Sequence, residues 1–324
     1  MPNRPLALTL LLLASCTSYD GGSFEAAPLA ATGRATAGAT SGGAQDVGLA
    51  RETVGAGQVP RPESFTAEGL FSEHDLPATG GPADRVLVLR PGLALLRLPD
   101  RPVPSAIVQV GMASNVDLET FRRRPLDLAA VVDRSGSMAG GKIDAVRRAL
   151  HRLVERLGPD DRFALVLFDS AADVLVSSRP VESAGELHEA IDAIEVRGST
   201  DIEEGLCLGY GEIAAPADRG DRSARILLFT DAQPNTGRTD PESFLGLARR
   251  FADEGVGLTV FGVGLDMGPE LARRVSELEG GNSFYLEGEE RIATVFDRDF
   301  DLLVTPIATR LSISVTPAPG FRTV

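Results

Sequence analysis

Between residues 126 and 306 the chain alternates two hydrophobic rhythms, and that alternation constrains the fold more than any other feature. Residues 126–132 (LDLAAVV), 162–168 (RFALVLF), 225–229 (RILLF) and 257–263 (GLTVFGV) are short, nearly continuous apolar runs. Such runs suit strands covered on both faces, as in a parallel sheet. The segments between them are helical in period. In 142–157 the residues Ile143, Val146, Leu150, Leu153 and Leu157 recur at steps of three and four, one stripe of an amphipathic helix. Further helices are expected over 183–194, 201–215, 241–254, 269–279 and 289–304, with a short edge strand at 172–176 folded back on its neighbour. This pattern predicts an α/β domain with a doubly wound, mostly parallel sheet flanked by helices. Ligands of such sheets bind beyond the carboxyl ends of the strands.

Three loops at that end carry oxygen. Asp133-Arg134-Ser135-Gly136-Ser137 directly follows the first apolar run and sets one carboxylate and two hydroxyls on a short loop. Gly198-Ser199-Thr200-Asp201 leads into an expected helix and offers the Thr200 hydroxyl, while 225–229 runs into Thr230-Asp231 and a second carboxylate. Hard oxygen donors of this kind suit Mg²⁺ or Mn²⁺ and not zinc or copper. Each piece alone has an ordinary explanation. Ser135, Ser137 and Thr200 can cap helices, and Asp201 can favour a helix dipole from its first turn. The ordering D-x-S-x-S, then T, then D is far more specific than any one piece.

On these residues the segment 126–306 resembles the von Willebrand factor type A (VWA) domain, whose three loops form a metal-ion-dependent adhesion site (MIDAS). The resemblance implies that Ser135, Ser137 and Thr200 bind the metal directly or nearly so, while Asp133 and Asp231 hold it largely through water. It further implies a non-enzymatic function, in which a partner protein's Asp or Glu carboxylate completes the shell of a bound Mg²⁺ or Mn²⁺. In some members the last helix, here 289–304, shifts with ligand state. Two departures are small: Ala232 stands where many members have Gly, and Arg134 is a large cation at a variable position of the motif.

Rival readings have less support. Gly136–Lys142 (GSMAGGK) fits G-x-x-x-x-G-K, but Ile143 follows where a phosphate loop needs Ser or Thr for Mg²⁺. A metal-dependent hydrolase would need a general base near Ser135, and none is evident. A structural envelope scaffold with a merely stabilising metal remains the alternative from a third class. The only histidines are His74, His151 and His188, so no histidine metal cluster is expected, and His151 and His188 read as surface residues. Cys207 is expected to pack as a small hydrophobe.

The flanks read differently. Residues 1–15 look like a secretory leader, with Arg4 ahead of a short apolar core, ending at Leu13-Ala14-Ser15-Cys16. That tetrapeptide resembles the bacterial lipobox, which makes Cys16 the lipidation site and implies membrane attachment at the cell envelope. Thr17 in place of Asp favours the outer membrane by analogy. Residues 16–61 are rich in Gly, Ala, Thr and Ser and read as a flexible low-complexity tether. Residues 62–125 contain strand-like stretches at 85–90 and 103–112, and 307–324 opens a further β segment. A formal charge of -14 argues against nucleic acid, whose binding rests on clustered cations.

Overall fold

The four apolar runs become the centre of one sheet. The computed structural model describes residues 80–97, 105–117, 120–214, 220–231, 241–264, 278–286 and 288–306, with shorter pieces at 7–11, 44–45, 47–55, 57–60, 216, 274–275, 308 and 312–316. In chain order the elements begin with β1 (Ala7–Leu11), β2 (Ala44–Gln45), α1 (Val47–Gly55), β3 (Val88–Leu96), β4 (Ser105–Ala113) and β5 (Leu126–Asp133). Next come α2 (Gly141–Glu155), β6 (Arg162–Phe168), β7 (Ala172–Pro180), α3 (Ala184–Asp192), α4 (Ile202–Ala214) and β8 (Ser223–Thr230). The series closes with α5 (Pro241–Asp253), β9 (Val256–Val263), β10 (Asn282–Leu286), α6 (Gly288–Ala293), α7 (Phe300–Leu303) and β11 (Ser312–Thr316).

Residues 1–37 with 308–324 make one unit, and residues 38–307 the other. In the first, β1 pairs with β11 in parallel. The second holds a seven-stranded sheet in the order β2-β10-β9-β8-β5-β6-β7, parallel throughout except for the antiparallel edge strand β7. A separate antiparallel ribbon joins β3 to β4.

Alternation along β5 divides the core in two, as a doubly wound sheet requires. Leu128, Ala130 and Val132 face a cluster completed by Ile143, Val146, Leu150 and Leu153 of α2, Leu187 and Ile191 of α3, and Phe296 and Phe300. Ala129 and Val131 face the opposite cluster, built with Ile202, Leu206 and Tyr210 of α4 and Leu245 and Ala248 of α5. α4 seats closely on the sheet because it presents glycine there. A Cβ on Gly209 would stand 2.5 Å from Val131 Cγ2, and one on Gly205 2.7 Å from Phe168 Cδ1.

Some sequence expectations need amending. β7 runs to Pro180, longer than the expected 172–176. The helix over 289–304 is broken into α6, a π turn at Thr294–Arg298 and α7. Strand β10 was not anticipated, since NSFYL lacks a long apolar run; its Phe284 packs against Phe261. Within the stretch read as a tether, β2 pairs with β10 and Ala50 of α1 is buried. Cys207 is exposed, not packed: the buried positions of α4 are 202, 205, 206, 209, 210 and 213, and residue 207 falls on the other side. Cys16, Ala232 and most of 269–279 lie outside the described residues.

Candidate functional site

The oxygen-bearing residues emerge from the exits of adjacent strands. β5 ends in Asp133, and its parallel neighbour β8 ends at Thr230, one residue before Asp231. Asp133 and Asp231 are both fully buried. Asp133 Oδ1 accepts the Ser135 backbone N–H at 2.9 Å, and its Oδ2 accepts the Thr230 hydroxyl at 2.7 Å. The first of these bonds turns the loop back on itself and brings the Ser135 and Ser137 Oγ atoms to 3.0 Å. The Ser137 hydroxyl then donates to Asp231 Oδ1 at 2.9 Å. Four of the five expected residues thus form one continuous chain of contacts.

Thr200 lies on the neighbouring loop, between α3 and α4, and is fully buried. That loop is stitched to the first by main-chain bonds. Gly136 N–H donates to the Gly198 carbonyl at 3.1 Å, and Arg197 N–H donates to the Arg134 carbonyl at 2.7 Å. Gly198 has φ +73, and a Cβ there would meet Asp169 and Ser170 at 2.9 Å, so the approach needs glycine.

Capping does not account for the serines. Ser135 precedes a 3₁₀ turn at Gly136–Met138 without a side-chain cap bond, and α2 starts after Gly140, which has no side chain to cap with. α4 is capped by Asp201, whose Oδ1 accepts the Glu204 N–H at 3.1 Å.

The charges around the site divide into two groups. Burial pushes the Asp133 carboxyl above its ordinary value; the Thr230 and Ser135 bonds work against that, and nearby Asp231 adds to it. Against this pair stands Lys142, whose Nζ lies 2.5 Å from Asp231 Oδ2. Arg134 is engaged elsewhere. Its Nε meets Asp169 Oδ2 at 2.7 Å and its Nη2 meets Asp173 Oδ2 at 2.5 Å, while Arg197 reaches the same two carboxylates at 3.0 Å each. Burial works to raise the Asp169 carboxyl, but Arg197 and Arg134 hold it below the usual range. This network ties the β5 loop, the β6 exit and the Thr200 loop together.

Sequence reasoning noticed Lys142 only as the end of a phosphate-loop pattern. Its ammonium is instead directed at Asp231, through a contact 89 residues apart in sequence that no local spacing reveals. It also missed a histidine contact. His151 of α2 and His188 of α3 stack, with their Nδ1 atoms 2.6 Å apart, and His151 Nε2 lies 3.0 Å from Asp192 Oδ1. Among the described residues no group of three or more His, Cys, Asp or Glu is arranged to hold a metal ion. A divalent ion at the β5–β8 loops therefore depends on hydroxyls as well as the two carboxylates.

The donor set fits such an ion. Adjacent ligands of an octahedral Mg²⁺, each at about 2.0–2.1 Å, are about 2.9 Å apart. The separation of 3.0 Å between the Ser135 and Ser137 hydroxyls matches an edge of that polyhedron, and Asp231, which accepts the Ser137 hydroxyl at 2.9 Å, stands directly behind it.

Part of the chain is similar to known proteins. A Synechocystis protein described as uncharacterized protein sll0103 is 28% identical over 218 residues, covering 67% of this chain and 51% of its own. Human inter-alpha-trypsin inhibitor heavy chain H4 is 24% identical over 202 residues, 60% of this chain and 22% of that one. Proximal thread matrix protein 1 from the mussel byssus, in a structure with a zinc-occupied MIDAS motif, has 23% identity and a TM-score of 0.46 over 56% of this chain and 46% of that one. The chain spans about half the length, or less, of the curated relatives it matches. The model of the von Willebrand factor type A domain matches residues 127–298, just over half of the chain and nearly all of the doubly wound sheet with its three loops. The chain belongs to the von Willebrand factor type A domain family.

Proposed function

We propose that Asp133, Ser135, Ser137, Thr200 and Asp231 hold Mg²⁺ or Mn²⁺, and that the domain uses this site to bind a partner protein through an Asp or Glu carboxylate. The observation that carries the reading is the pair of hydroxyls of Ser135 and Ser137 at octahedral-edge spacing, with the fully buried carboxylates of Asp133 and Asp231 beside them. Ser135, Ser137 and Thr200 supply neutral donors, and Asp133 orients the loop through the Ser135 N–H while adding charge. Bound there, the ion supplies a Lewis-acidic position able to take an anionic ligand from outside. The acidic chain repels an acidic partner only at short range in physiological salt, where screening acts over about 8 Å.

The scaffold alternative, in which the metal only steadies the loops, fits less well. The loops are already joined by the bonds of Gly136 to Gly198 and Arg197 to Arg134, and by the Arg134–Asp169–Arg197–Asp173 network. We also propose envelope localisation through lipidation of Cys16, at the outer membrane; no helix among the described residues is long and apolar enough to cross a membrane.

Calorimetric titration of Mg²⁺ and Mn²⁺ into the purified protein tests the site. Saturable heats that vanish in Asp133→Ala are expected, and unchanged heats in that variant would refute the assignment. Chelation of partner complexes captured from native envelopes tests the rest. Loss of the partner with thermal stability retained fits binding, whereas loss of stability with the partner retained fits the scaffold.

A further inference from the structure

The chain carries 32 basic side chains, and 31 of them are arginine. Lys142 is its only lysine, and it is the residue whose ammonium touches the candidate metal site. Three further features make this position unusual. Lys142 is the second residue of α2, where the helix dipole disfavours a cation, so helix preference does not explain it. Its stem crosses the end of β9 at Gly264, where a Cβ would lie 2.5 Å from Lys142 Cε; the crossing exists because that residue is glycine, with φ +85. Its target, Asp231, is fully buried, while the lysine side chain keeps some contact with solvent.

We propose that Lys142 is a resident cation of this site: its ammonium neutralises Asp231 in the metal-free protein, withdraws toward solvent when a divalent ion binds, and so sets the metal affinity. This rests on the reading of the five oxygen residues as a metal site. The side-chain chemistry explains why lysine stands here in a chain otherwise served by arginine. A lysine offers a compact, strongly hydrated charge on a flexible stem, able to leave its carboxylate for water. An arginine would grip Asp231 with a planar fork of donors and keep it from a metal. With the ammonium on Oδ2 and the Ser137 hydroxyl on Oδ1, both oxygens of Asp231 are held in place before any ion arrives.

The test compares Mn²⁺ and Mg²⁺ affinity in the wild-type protein, Lys142→Met and Lys142→Arg by calorimetry. Removing the competing charge is expected to tighten binding by about tenfold or more, since even a strongly screened ion pair must be broken before the metal enters, and Lys142→Arg to weaken it. Equal or weaker binding by Lys142→Met overturns the proposal while leaving the metal site standing. An absence of heat in all three proteins overturns the metal reading itself, and the proposal with it. A measurement on the unaltered protein guards against a variant that does not fold. Because the chain has one lysine, its side-chain ¹H–¹⁵N and ¹³Cε signals are unambiguous. They are expected to move as Mg²⁺ is added, toward the values of a solvated lysine. Signals that stay fixed through a titration that saturates the site overturn the proposal.

Discussion

Asp133 and Asp161 are both buried aspartates at the ends of central strands, one closing β5 at its carboxyl end and one preceding β6 at its amino end. Asp161 is fully answered. Arg123 meets both its oxygens, at 2.7 and 2.5 Å, and the N–H groups of Leu126 and Gly158 add bonds at 2.8 Å each. Burial works to raise this carboxyl, but Arg123 and the two N–H groups hold it below the usual range. Asp133 has hydroxyl and N–H donors but a second carboxylate as its charged neighbour, and its pKa moves the other way. Asp161 has its charge matched by Arg123 and serves as a clamp. Asp133 and Asp231 bring two buried carboxylates against one ammonium, that of Lys142, and that remaining excess of negative charge is what a cation site requires.

The clamp is expected to show the largest effect on stability. Arg123 also meets Asp301 Oδ1 at 3.0 Å and the Arg156 carbonyl at 3.0 Å, so it joins the entry to β5 with α7. Arg123→Ala leaves Asp161 buried without its guanidinium and should cost about 3–5 kcal/mol in urea denaturation. Metal affinity should stay within about twofold, since the two ends are independent. A large loss of affinity would break the contrast between them.

Metal should stabilise the other end by a somewhat smaller amount. At a free Mg²⁺ concentration 100 times Kd, linkage gives about 2.7 kcal/mol. Thermal denaturation should show that gain in the wild-type protein and in Arg123→Ala, and none in Asp133→Ala. A gain in Asp133→Ala would place the ion elsewhere.

Packing between the two ends gives a third, smaller effect. Gly209→Ala pushes a methyl into Val131 and should cost about 1–3 kcal/mol as overpacking. Calorimetric Kd values for metal should hardly change, because the loops are tied by their own bonds.

The two aspartates should also respond to pH with opposite sign. The pKa of Asp161 is lowered on folding, so its contribution is complete above the ordinary carboxylate value of about 3.9 and is lost as pH falls through its lower native value. The pKa of Asp133 is raised on folding, so the metal-free protein loses stability as pH rises from about 3.9 through its higher native value. Metal affinity should rise over that second window as the proton leaves. Denaturation series in chelator, and metal titrations across the same pH range, would show both slopes.

Much of this arrangement was legible in the sequence. The runs at 126–132, 162–168, 225–229 and 257–263 became the four central strands because a strand buried on both faces needs little but apolar residues. The order of Asp133, Ser135, Ser137, Thr200 and Asp231 was readable because each follows a strand or precedes a helix. What could not be read were pairings between distant elements. Nothing near Lys142 announces Asp231, nothing near Arg123 announces Asp161, and the contact of His151 with His188 depends on how α2 lies against α3. The broken helix over 288–303 escaped because apolar spacing does not register a π turn. β10 was missed because an edge-proximal strand of five residues carries too little pattern.

Anomalous scattering from a crystal of the protein grown with Mn²⁺ would test the metal site most directly. The expected result is a peak within coordination distance of the Ser135 and Ser137 hydroxyls, flanked by Thr200, Asp133 and Asp231. A peak between His151, His188 and Asp192 alone, or no peak at the β5–β8 loops under saturating Mn²⁺, would contradict it.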